Sequence, residues 1–171
     1  MIKIKFPDGN VKEFESGVTG LDIARGISSK LAKEVLSISV NGEIWDLTRP
    51  ITADAEIKLF TWDDQEGKHA FWHSSAHLMA EALQQLYPNT KFGIGPAIEN
   101  GFYYDIDLDH RLTNEDLEKI EHEMKKIQKD GKRIVRREIS KEEAKIFAER
   151  YLQVSNGKFN EFHTTIKYLF G

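Results

Sequence analysis

The sequence contains no cysteine. That absence excludes a disulfide framework, a thiolate metal site and a cysteine nucleophile. No apolar run reaches the roughly 18 residues of a membrane span, and Met1 to Phe6 alternates charged and hydrophobic side chains, unlike a secretory signal; the cytoplasm is the expected compartment. A positive excess is missing too. The 24 basic and 28 acidic residues leave a net charge of −4, which argues against a protein that coats nucleic acid. There is no internal repeat and no low-complexity tract. What remains is globular composition, 40% hydrophobic and 30% charged over 171 residues, enough for one ordinary domain or two small ones. The positive charge concentrates in residues 113–171, with 13 basic against 11 acidic, so a polyanion contact is expected there.

Ile2 to Phe6 alternates with period two, Pro7-Asp8-Gly9-Asn10 is turn chemistry, and Val11 to Phe14 alternates again, which predicts a hairpin. Thr19 is a candidate N-cap for a short helix with Leu21, Ile23, Ala24 and Ile27 on its apolar side. Leu36 to Val40, the Asn41-Gly42 turn and Glu43 to Trp45 predict a second hairpin, and Ile57 to Phe60 a closing strand. Strand, strand, helix, strand, strand, strand within 60 residues is the ubiquitin-like β-grasp order. The polar, acidic stretch Thr61 to His69 reads as a linker. Phe71 to Tyr87 lacks Gly and Pro and stops at Pro88, predicting a helix. Phe92 to Ile98 and Phe102 to Leu108 flank Glu99-Asn100-Gly101 as a third hairpin. Thr113 with Asp116, and Ser140 with Glu143, mark two further helix starts, with Gly131 ending the first helix and a strand over residues 133–139 between them.

The sharpest local feature is His73-Ser74-Ser75-Ala76-His77, because histidines four apart share one helix face. Such a pair can bind a metal, or hold and deprotonate a water. A half-buried pair satisfied by backbone or carboxylate has the same spacing. Glu81 lies one turn further along that face. Ser at position 74 excludes the metalloprotease signature, which needs Glu there. A structural zinc site would have to draw on His69, His110, His122, His163 or carboxylates. Lys125, Lys126, Lys129, Lys132, Arg133, Arg136 and Arg137 could line a groove over phosphates. They also end a helix that begins with Glu115, Asp116 and Glu118, a distribution the helix dipole favours on a solvated surface. Ile94-Gly95-Pro96 and Gly101-Phe102-Tyr103-Tyr104-Asp105 combine close-approach glycines with aromatic faces, suited to core packing or to a pocket. Trp45, Trp62 and Trp72 bracket the linker and are expected to pack the two units together.

Phe6-Pro7-Asp8-Gly9, Val40-Asn41-Gly42, His73-Ser74-Ser75-Ala76-His77-Leu78, Ile94-Gly95-Pro96 and Asn100-Gly101-Phe102-Tyr103-Tyr104-Asp105, in this order, resemble the N-terminal region of threonyl-tRNA synthetases over about 150 residues. Alanyl-tRNA synthetases share the His-x-x-x-His module but are not known for the domain in front of it. The resemblance implies an α+β chain: a TGS-like β-grasp domain at 1–61, a linker at 62–70, and an incomplete α/β editing-type domain at 71–171. It implies hydrolysis of serine mischarged on threonine tRNA, with His73 and His77 at the water, Gly95 and Tyr104 lining the aminoacyl pocket, and the basic stretch near the acceptor arm. The need is physical: serine lacks one methyl, which a pocket rejects by only ~1–3 kcal/mol. No metal is implied at these histidines. ATP, Mg and zinc would belong to a class II core that this chain does not resemble, so the chain alone is not expected to charge tRNA.

Two departures stand out. The family completes its editing pocket with Cys-x-x-x-His, for which this sequence has no cysteine. After Arg150 the likeness ends, and Lys158 is a weak counterpart of the pocket lysine. The chain is therefore expected to be either a fragment of a synthetase or a standalone binding module. Its apolar end, Phe159 to Phe170, is expected to fill the place of missing strands or to pair with another chain, giving self-association through an open edge.

Overall fold

The computed structural model describes residues 1–132 and 138–151. The chain divides after Asp130 into two units. Met1–Asp130 opens with β1 (Ile2–Lys5) and β2 (Val11–Phe14), paired antiparallel in the register Ile2 to Phe14 and Lys5 to Val11. The turn between them closes on itself, Phe6 N–H donating to the Asn10 carbonyl at 2.8 Å, with Gly9 at φ +85°. After β3 (Val18–Thr19), α1 (Gly20–Ile27) begins with a full capping box between Thr19 and Asp22. A single turn, α2 (Leu31–Glu34), leads to β4 (Ser37–Val40) and β5 (Glu43–Trp45), then β6 (Pro50–Ile51) and β7 (Ala55–Phe60). Asn41 (φ 51°) and Gly42 (φ 85°) both take the left-handed conformation that a two-residue type I′ hairpin turn requires.

The sheet order is β2-β1-β7-β4-β5, with β1 and β7 parallel and the other pairs antiparallel, so the expected β-grasp is the fold observed. Alternation along β1 and β7 sends Ile2, Ile4, Ala55 and Ile57 to one face, where they meet Ile23 of α1 and Ile38, Val40 and Ile51. The short pair β3/β6 and the turn α2 were not expected, being too brief to leave a periodic signal.

The predicted helix exists but starts earlier: α3 is Gln65–Leu86, 22 residues, so its first turn occupies the stretch expected to be a linker. Asp64 anchors that start. Its carboxylate accepts the Thr61 N–H at 3.0 Å and pairs with Lys58 of β7 at 3.1 Å. Gly67 lies directly on the Thr61 carbonyl: a Cβ there would stand 1.9 Å from that oxygen. Trp62, Phe71 and Trp72 form an edge-on aromatic cluster at 5.0–5.6 Å. Trp45 does not join it. It packs on the β-grasp core with the Arg49 guanidinium 3.6 Å from its ring centre.

The third hairpin is broken into two short ribbons, β8 (Lys91–Phe92) with β11 (Ile106–Asp107) and β9 (Ala97–Ile98) with β10 (Gly101–Phe102). Gly93, Gly95 and Pro96 interrupt what was expected to be continuous strand, although Gly93 N–H to Asp105 and Asp105 N–H to Ile94 bridge the gap at 2.8 and 2.9 Å. Helix α4 (Asn114–Asp130) ends at Gly131, φ +58°, and packs on α3 through Ala82, Leu83, Ile120 and Ile127. Thr113 and Asp116 form the expected box, and Tyr87 at the end of α3 donates to Asp116 at 2.9 Å. The Thr113 amide and hydroxyl, then Tyr87, hold this carboxylate well below the usual range. Thr113→Ala should cost about 0.5–2 kcal/mol. Urea unfolding checks this as a lowered midpoint at unchanged slope.

In the second unit, α5 (Lys141–Tyr151) starts with the expected box, Ser140 N–H to Glu143 at 3.0 Å and Glu143 N–H to the Ser140 hydroxyl at 3.1 Å. Most of the strand expected over 133–139, together with Lys158, His163 and the final apolar segment, lies outside the described residues. Among the described residues, no helix is long and apolar enough to cross a membrane.

Candidate functional site

Spacing along α3 brings the predicted histidines into direct contact. Nε2 of His73 and Nε2 of His77 are 3.0 Å apart, their rings nearly perpendicular with centres 4.6 Å apart. His69 extends the row, its ring parallel to that of His73 at 6.2 Å. The serines between them do not serve the pair: Ser74 and Ser75 donate to the carbonyls of Ala70 and Phe71, each at 2.8 Å. Trp72 leans on Phe102 of β10 at 6.3 Å, holding the hairpin tip beside the helix turn that carries His73. Glu81, one turn beyond, accepts from Gln85 at 3.3 Å.

Burial pushes the His73 pKa below the ordinary histidine value, with the charge of His69 adding to it; burial, then His73, does the same to His77. The pair is therefore neutral at pH 7. A depressed folded pKa means that the unfolded chain binds protons first, so this stabilisation is present above about 6.5 and is lost as the pH falls from there through the lower folded value. The expected result is a wild-type Tm that drops between pH 7.5 and 5.5 more steeply than that of His73→Phe/His77→Phe. Parallel profiles would refute the coupling.

Gly95 and Tyr104 also come together, but ring against backbone. A Cβ on Gly95 would stand 2.4 Å from the Tyr104 ring, which packs edge-on against Phe92 at 5.5 Å. The glycine thus makes room first for tyrosine, and burial pushes the Tyr104 hydroxyl pKa up. Of the seven basic residues, Arg133, Arg136 and Arg137 lie outside the described residues. Lys125 and Lys126 pair with Glu121 and Glu123 on their own helix, which reduces the charge they offer a polyanion. Among the described residues, no group of three or more His, Asp or Glu side chains gathers as a metal site. The sequence reading missed Gly67 and the Trp72–Phe102 contact. The acid-first run Asp64-Gln65-Glu66 was the available signal for the early helix start.

Residues 2–61 match the TGS domain family. These residues are a TGS domain. The likeness continues past it. Threonine–tRNA ligase of Porphyromonas gingivalis is 60% identical over 146 residues, 84% of this chain and 22% of that protein. That of Bacteroides thetaiotaomicron is 58% identical over 152 residues, 88% and 24%. That of Clostridioides difficile is 54% identical over 144 residues, 84% and 22%. The chain therefore spans about a quarter of the length of these curated relatives, and most of it, the TGS domain and α3 included, is similar to the N-terminal region of threonine–tRNA ligases.

Proposed function

We propose that this chain is the tRNA-recognising and proofreading region of a threonyl-tRNA synthetase, with the TGS domain followed by the beginning of an editing-type domain that carries His73 and His77. The observation that carries the reading is the histidine pair, with Nε2 atoms 3.0 Å apart, on the helix that directly follows the TGS domain. In the reaction, water adds to the seryl carbonyl carbon, the ester C–O bond breaks, and the ribose oxygen leaves with a proton. A histidine pair suits the holding of that water and the passage of its proton. Gly95 and Tyr104 would shape the aminoacyl pocket, and the basic residues 125–137 would lie toward the acceptor arm. Threonine charging, with its ATP, Mg and zinc, would belong to a catalytic core outside these residues.

The deciding experiment is deacylation of seryl-tRNA for threonine by the purified chain. His73→Ala should lower the rate by about 10²–10⁴-fold, the span of general acid–base catalysis, and His77→Ala should lower it as well. A second reading rests on the close packing of Tyr104 on Gly95, which fills the place expected for the aminoacyl pocket: the chain binds tRNA, or a partner protein, without hydrolysing anything. Salt-sensitive tRNA binding with no deacylation would favour it. Self-association belongs to both readings, and a clean monomer by light scattering at high concentration would remove it.

A further inference from the structure

The two histidines are chemically unequal. A neutral imidazole carries one N–H and one bare nitrogen, so a contact between two Nε2 atoms needs the proton on one ring and the lone pair on the other. The far nitrogen of His77 decides between the two arrangements. His77 Nδ1 is buried and, among the described residues, has no hydrogen-bond partner. If His77 accepted at Nε2, its own proton would sit on Nδ1 as a buried donor without an acceptor, and such orphaned N–H groups are rare. If His77 donates from Nε2, its Nδ1 is a bare lone pair, a smaller loss than a stranded proton. His73 then accepts at Nε2 and carries its own proton on Nδ1.

We propose that His77 is the positioning residue of the pair: it donates from Nε2 to His73 Nε2 and locks His73 in the Nδ1–H form. Both nitrogens of His77 are then accounted for, one in the contact and one buried, so His77 touches no substrate. His73, whatever it meets at Nδ1, meets it as a donor. While the contact lasts, His73 orients a water or an ester oxygen rather than removing a proton. Base action requires the Nε2 contact to open first. The same accounting makes the pair resist protonation. A single added proton with the contact intact leaves either His77 doubly protonated or His73 donating to a His77 that holds its proton on Nδ1. In both cases an N–H stands at the buried position.

The assignment draws its catalytic meaning from the hydrolytic reading above, but its test needs no substrate. In 15N-histidine-labelled full chain at pH 8, two-bond 1H–15N spectra should show a pyridine-type Nδ1 on His77 and a pyrrole-type Nδ1 on His73. His77→Gln keeps a donor at the place of Nε2 and should preserve the His73 pattern, whereas His77→Phe should release it. A pyrrole-type Nδ1 on His77, tautomer averaging on both rings, or a His73 unchanged in His77→Phe would overturn the proposal. Tautomers as stated with no deacylation would leave the assignment standing and sink the hydrolytic reading. Active deacylation with reversed tautomers would do the opposite.

Discussion

Leu83→Ala should destabilise the chain by about 2–5 kcal/mol, the range for truncating a buried leucine whose surroundings cannot collapse. Leu83 is 1% exposed and sits between α3 and α4 with Ala82, Ile120 and Ile127, a core whose partly buried neighbours include Leu78, Met79, Leu86 and Met124. Two of the four central residues belong to each helix, so the missing methyl groups fall on the seam itself. Urea unfolding followed by helical circular dichroism should show the loss. Amide shifts of β1 and β7, which belong to the other core around Ile4 and Ile57, should stay in place. A loss below about 1 kcal/mol would mean that the seam repacks freely.

Gly67→Ala should destabilise as well, against the usual sign for a helical glycine. Alanine is favoured over glycine inside a helix by about 1 kcal/mol. Here the added Cβ would meet a backbone oxygen at 1.9 Å, and a carbonyl at the end of β7 cannot rotate away as a side-chain tip can. Overpacking of this kind costs about 1–3 kcal/mol or more, so the clash wins. Gly26 is the control. It lies in α1 with nothing within 4 Å of its would-be Cβ, so Gly26→Ala should raise stability by several tenths of a kcal/mol or more, up to about 1. Thermal melts of the two variants should move in opposite directions. A stabilised Gly67→Ala would show that the α3 start is loosely held.

Local chemistry was legible wherever a short motif satisfies its own backbone. The Asn41-Gly42 turn, the Thr19–Asp22 box and the Ser140–Glu143 box all stand where spacing put them. The histidine spacing also translated directly into contact. Features that depend on a distant neighbour did not show. Gly67 looks like linker until the Thr61 carbonyl is beneath it, and Trp45 looks like its fellow tryptophans until Arg49 covers it. The hairpin from Phe92 shrank because two glycines and a proline interrupt a pattern whose apolar alternation had been read as continuous. Lys125, open in the sequence to a phosphate groove or a solvated helix face, pairs with Glu121 four residues before it, a spacing that favours the solvated face.

The seating of Gly67 on Thr61 gives α3 a mechanical character. The helix is about 33 Å long, and His73 and His77 lie roughly 12 and 18 Å from its first residue. A tilt of about 5° at that hinge would swing His77 through roughly 1.5 Å, and displacements near 1 Å are enough to cost two orders of magnitude in a positioned reaction. The β-grasp sheet is thus the footing of a lever that carries two imidazoles partway along its length, and anything that grips the footing sets their aim.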